Sequence, residues 1–216
     1  MTFASVEYLI FLPVVFLLYW IGCRKNKNLQ NGLIVIASLF FYEFWDWRFL
    51  GLLLVTAVST YFAGLWMNRV DSTGSPTKDK KRWWISFGTI LLNLGILFGF
   101  KYYNFFVQAF VDSFSLLGKE LSVSTLKIIL PVGISFYTFT ALSYSIDVYQ
   151  RKVEATKDVL AYLAYVTFFP SILSGPISRA TKQLPQYFRK REFSYDTAVS
   201  ACRSILWGGG IKAMPC

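Results

Sequence analysis

The chain has 216 residues, 55% of them hydrophobic and 19% aromatic, with a formal net charge of +10 and a mean hydropathy of +0.45. Soluble domains hold about 45–50% apolar residues, and here the apolar residues fall in long runs, so the composition argues for an integral membrane protein. The basic residues lie between apolar runs and after residue 178, as membrane topology places them, which removes the case for nucleic acid. Zero histidines and three cysteines without CxxC spacing exclude a histidine base, a disulfide framework and a zinc site.

Val6 to Gly22 is a first span, with Pro13 tolerated because neighbouring helices can satisfy the freed carbonyl. No cationic region precedes it and no small-residue cleavage site follows, so it reads as a retained span rather than a cleaved signal. Arg24, Lys25 and Lys27 then place the next loop in the cytoplasm and the amino terminus outside. Leu29 to Tyr42 and Phe49 to Met67 form an outward-facing hairpin, joined at Glu43-Phe44-Trp45-Asp46-Trp47-Arg48 by tryptophans beside charges. Asn68 to Arg82, with Gly74-Ser75-Pro76 and four basic residues, reads as a flexible cytoplasmic loop.

Trp83 to Phe100 is the fourth span, and its Gly88, Gly95 and Gly99 allow close approach of another helix. Lys101 to Asn104 marks the outer interface, and Phe105 to Leu117 continues apolar but broken. Leu130 to Tyr149 (LPVGISFYTFTALSYSIDVY) is a twenty-residue span carrying a polar stripe: Tyr137, Thr140, Tyr144, Asp147 and the following Arg151 recur at steps of three and four. Such a face avoids lipid. It can line a substrate path or serve as hydrogen-bonded packing between helices, and Asp147 can pair with Arg151 or act as a base beside a substrate hydroxyl.

Val159 to Ile177 ends in FFPSILSGPI, and its prolines and glycine argue against a regular helix. A full sixth crossing would put Arg179, Lys182, Arg189, Lys190 and Arg191 outside, against the positive-inside rule, so the segment is expected to enter, break at Pro170 to Pro176 and return. Lys182 to Trp207 mixes basic and aromatic residues, as in a cytoplasmic interfacial helix or a dock for an acidic carrier protein. Three glycines from Gly208 give a weak ending. The fold class is therefore an all-α polytopic bundle of about five full spans plus one broken or re-entrant segment, in a cell (inner) membrane. The residues themselves name no reaction, and a non-enzymatic scaffold, export component or transporter part stays open.

At LPVGISFYTFTALSYSIDVY and FFPSILSGPI, and again at FKYYNFF from Phe100, the sequence resembles the membrane-bound O-acyltransferase family. The branch it resembles contains alginate O-acetylation proteins and the D-alanyl transfer protein of teichoic acid synthesis. The resemblance runs over residues 1–207 and leaves 208–216 as a tail outside the family pattern. It implies a ring of helices around a funnel. It also implies transfer of an acyl group, often acetyl, from a cytoplasmic thioester donor such as acetyl-CoA or a carrier-bound acyl group to a hydroxyl of an extracytoplasmic polysaccharide. A carrier or a secreted acyltransferase would be the protein partner. The family's presumed base is a histidine in a later half, so this chain reads as an amino-terminal half without a catalytic residue. Carried over as supportive are Pro131 and Gly133, which permit a break or close packing, and Tyr137, Thr140, Tyr144 and Asp147, which line or buttress the funnel. Pro170, Gly175 and Pro176 would shape the re-entrant turn.

Overall fold

The computed structural model describes residues 6–24, 26–43, 47–72, 78–116, 133–172 and 179–213, and every regular element among them is helical. Helix α1 (Val6–Leu17) runs on into a π-helical turn (Leu18–Gly22) closed by the Cys23 N–H on the Leu18 carbonyl at 3.0 Å. The Asn26 side chain accepts from the Asn28 N–H at 3.0 Å and caps α2 (Lys27–Glu43). Helices α3 (Trp47–Ser72), α4 (Lys78–Leu116) and α5 (Ile134–Tyr149) follow.

Two clusters fix how these rods lie. Tyr42, Leu53, Leu97, Ile134 and Tyr137 pack together at one end, while Asp71, Arg82 and Val148 meet at the other. The second group joins the end of α3, the start of α4 and the end of α5, so α2 to α5 alternate up and down. We call this second end the near end. Tyr8 of α1 meets Phe41 of α2 edge to face and Phe11 stacks on it, whereas Tyr19 and Trp20 reach Arg191 and Phe193. Helix α1 is therefore antiparallel to α2 as well.

Among the described residues, only α3 and α4 hold apolar stretches long enough to cross a bilayer, at Leu50–Asp71 and Asp79–Tyr102. Helix α5 is shorter than its expected span. Gly133 sits in the left-handed region at φ 74° and forces the helix to begin at Ile134; Leu130 and Pro131 lie outside the described residues. Helix α4, by contrast, is longer than expected. Its backbone is continuous to Leu116 instead of breaking at Phe105, and its first turn takes up Lys78 to Arg82. With α3 reaching Ser72, the expected flexible loop from Asn68 to Arg82 is helical at both its ends; residues 73–77 lie outside the described residues, as do 44–46.

The Val159 to Ile177 segment is broken, but earlier than its prolines suggest. Asp158 caps α6 (Val159–Val166) by accepting from the Ala161 N–H at 3.1 Å, and the helix stops at Thr167. Pro170 falls inside the four-residue α7 (Phe169–Ile172), where proline in a first turn loses no helical hydrogen bond. Gly175 and Pro176 lie outside the described residues.

The path of this segment is set by three contacts on α2. Lys27 lies 3.9 Å from Asp158 at its start. The Phe169 N–H meets Ser38 Oγ at 3.2 Å, well along α2. Then α8 (Ala180–Phe188) returns to Asn31, so the segment climbs α2 and comes back to the near end. The basic stretch expected as one helix is two, α8 and α9 (Tyr195–Ala213), and α9 continues through Gly208 to Gly210 instead of ending there.

Candidate functional site

The polar stripe of α5 is packed, not open. Tyr137, Tyr144 and Asp147 are buried and Thr140 half-buried. Tyr144 is fully enclosed: its hydroxyl accepts from the Thr156 N–H at 3.2 Å, and its ring lies 4.7 Å from that of Tyr162. Tyr162 shares a 2.6 Å hydrogen bond with Thr60 on α3. Thr140 bonds back to the Phe136 carbonyl at 2.9 Å, and its own carbonyl takes the Tyr165 hydroxyl at 3.3 Å. Tyr137 lies at the far end against Tyr42, 6.3 Å between centroids, with a buried hydroxyl that has no hydrogen-bond partner among the described residues. Structure therefore brings Thr140, Tyr144 and Asp147 onto the α6–α8 side and leaves Tyr137 in a separate cluster. Hydroxyls joined to hydroxyls and carbonyls can hold helices in register, but they carry no charge with which to take a proton at neutral pH.

The expected Asp147–Arg151 pair does not form. Arg151 lies past the helix end at φ 58°, where its N–H bonds Val148 O and the Lys152 N–H bonds Asp147 O, closing a Schellman turn with arginine where glycine is usual. Its guanidinium is thereby carried to Asp79 at 3.0 Å and Asp71 at 3.3 Å. The Asp147 carboxylate instead accepts a long 3.4 Å bond from the Thr181 N–H. It thus serves the start of α8, whose own N-cap residue Arg179 offers no side-chain bond.

Two features were not legible in the motifs. Arg82, placed in a loop by sequence, is only 2% exposed; it pairs with Asp71 and donates to the Val148 and Tyr149 carbonyls, both at 2.8 Å. A lysine-rich run hid it, and the one available signal is that an arginine beside Trp83 starts an apolar helix.

The second feature is a clasp. Gln30, fully buried, exchanges two bonds with the Arg191 backbone at 3.0 and 3.1 Å, and Asn31 donates to the Tyr187 carbonyl at 2.9 Å. The Arg191 guanidinium donates to Asn31 Oδ1 and lies over the rings of Tyr19 at 5.5 Å and Tyr187 at 5.0 Å. Burial pushes the Tyr187 phenol up, outweighing the opposing pull of Arg191, so it stays neutral beside that cation. Polar residues opening α2 were the available signal.

A cavity of about 330 Å³ adjoins the clasp, with Pro170 in its wall. Among the described residues no cluster of histidine, cysteine, aspartate and glutamate could hold a metal.

No family model matches the chain, and no solved structure matches it significantly. Curated proteins do. The chain is 36% identical to a probable alginate O-acetylase of Pseudomonas aeruginosa over 209 residues, which is 96% of this chain and 38% of that protein. It is 35% identical to a probable alginate O-acetylase of Azotobacter vinelandii, again over 96% of this chain and 40% of that protein. These similarities are consistent with the resemblance to the membrane-bound O-acyltransferase family. A peptidoglycan O-acetyltransferase of Helicobacter pylori, 32% identical over 82% of this chain and 36% of its own length, belongs to the same set. The chain therefore spans about two fifths of the O-acetyltransferases it matches. These relatives and the apolar helices α3 and α4 together point to a membrane protein.

Proposed function

We propose that this chain is part of a membrane O-acetyltransferase that moves an acetyl group from a cytoplasmic thioester to a hydroxyl of an extracytoplasmic polysaccharide or cell-wall polymer. The observation that carries this is homology to alginate and peptidoglycan O-acetyltransferases along nearly the whole chain. The residues present supply a wall and a support. Tyr144, Tyr162 and Thr60 brace α5 against α3 and α6, and Asp147 holds α8 beneath them. Attack of a hydroxyl on a thioester carbonyl needs a group that takes or orients the hydroxyl proton. With no histidine in its sequence, the 216-residue polypeptide alone is expected to give no acetyl transfer above the rate without protein. A transfer assay with acetyl-CoA or an acyl carrier and an oligosaccharide acceptor measures this; turnover by the polypeptide alone would overturn the reading.

Five crossings are proposed for α1 to α5, with the amino terminus outside and α6 to α7 entering and returning. The support is the alternation of the five helices and the return of α8 to the end that carries Arg24. In a chain with serine at Cys23, Cys202 and Cys216, Glu43→Cys is expected to react with an impermeant thiol reagent added outside. Lys152→Cys and Lys190→Cys react only after the membrane is opened. External labelling at 190 would refute the re-entrant path.

A further inference from the structure

Arg191 is a cation with donors to spare. Its Nη2 is spent on Asn31, its buried Nε has no acceptor, and no carboxylate lies within ion-pair distance of it among the described residues. The neighbouring Glu192 is engaged by Lys190 at 3.5 Å. A half-buried cation without a counter-charge is costly, and a bound anion would lower that cost.

Directly beside it runs the groove of about 330 Å³, walled by Leu12, Val15, Phe16, Ile34, Phe169 and Pro170, with Gln183 and Gln186 on its polar rim. This size is at the lower end of small-molecule sites, about 300–1,000 Å³, and suits one acyl chain rather than a whole two-chain lipid. The groove opens along α1, where Leu9, Leu12, Phe16 and Leu17 are all at least 40% exposed. On the membrane reading, on which this inference rests, that face meets acyl chains. Arg179, Lys182, Arg189 and Lys190, on and beside α8, are exposed and add positive potential along this element.

We propose that this groove binds an anionic phospholipid, one acyl chain lying between α1 and α7 and the phosphate set against Arg191. The bound lipid completes the clasp that holds α8 to α2. Neutral glutamine at 191 keeps a hydrogen-bonding side chain but removes the attraction for phosphate, whereas tryptophan at Leu12 fills the groove and leaves the charge.

The test is native mass spectrometry of the full chain released from detergent, with phosphatidylglycerol and phosphatidylcholine of identical acyl chains supplied in equal amounts. The wild type is expected to retain one phosphatidylglycerol about tenfold over phosphatidylcholine, the scale of a charge-assisted hydrogen bond. Arg191→Gln is expected to retain the two equally, Arg191→Lys to keep part of the preference, and Leu12→Trp to lose both. Equal retention by the wild type, or an unchanged preference in Arg191→Gln, overturns the site. Displacement of phosphatidylglycerol by acetyl-CoA overturns it in favour of a soluble phosphate-bearing ligand. Should Arg191→Gln fail to fold, Leu12→Trp decides: loss of the lipid with an unchanged helical spectrum supports the groove, and retention rejects it. Recovery of the chain from cells without detergent would instead refute the membrane reading itself.

Discussion

Replacing Arg82 by methionine is expected to destabilise the bundle by about 3–5 kcal/mol, the range for removing one partner of a buried ion pair. The side chain joins three helices at one point: it starts on α4, pairs with Asp71 of α3 and bonds the last two carbonyls of α5. Methionine matches the bulk but strips the Val148 and Tyr149 carbonyls of their donor and leaves Asp71 with the exposed Arg151. Arg151→Gln is the contrasting substitution. Arg151 is 56% exposed at its side chain and shares the same Asp71, so its loss should stay near the 0–1 kcal/mol of surface pairs. Asp71→Asn falls between, because Arg82 keeps its carbonyl partners. Thermal unfolding in detergent, followed by helical circular dichroism, orders the three. A methionine variant that melts with the wild type would show that Arg82 is not the joint described.

The second large effect belongs to Gly64. A Cβ at this position meets Tyr144 at 3.0 Å from both Cε1 and the hydroxyl oxygen. Tyr144 cannot retreat, being fully buried, bonded by the Thr156 N–H and packed on Tyr162. Alanine in a helix interior is worth about 1 kcal/mol over glycine, while overpacking costs about 1–3 kcal/mol. The clash is with a ring held on two sides, so Gly64→Ala is expected to be net destabilising by about 1–2 kcal/mol. Tyr144→Phe alone loses about 1 kcal/mol by leaving the Thr156 N–H without its acceptor. The double variant should cost less than the sum, because one of the two shortest contacts is with the hydroxyl that phenylalanine lacks. Additive losses, or a stabilised Gly64→Ala, would reject this packing.

The helices were legible because apolar runs and basic punctuation need no tertiary information. The amino acids that end them were not. Arg151 closes a Schellman turn that glycine would have advertised, and it succeeds because Asp71 and Asp79 hold its side chain. Pro170 invited a break at its own position, yet it sits where a helix starts, and the break precedes it. Asp147 and Arg151 have the spacing of a helical pair, but the second lies beyond the helix, so the carboxylate turns to Thr181. Arg82 looked like one more loop cation until three helix ends were seen to converge on it. At the candidate site the stripe of α5 was visible as a period, whereas the groove beside Arg191 is built from α1, α2, α7 and α8. No local window of sequence contains it.

The clasp between α2 and the residues after α8 also sets an order in time. Gln30 receives its partner only when Arg191 exists, 161 residues later, roughly 10–30 s of synthesis at about 5–20 residues per second. Through that interval the two amides that end up most buried on α2 have only water or headgroups to bond. The joint is thus among the last to close as the chain emerges, and its closing marks the moment when the α6–α8 excursion is locked against the helices already in place.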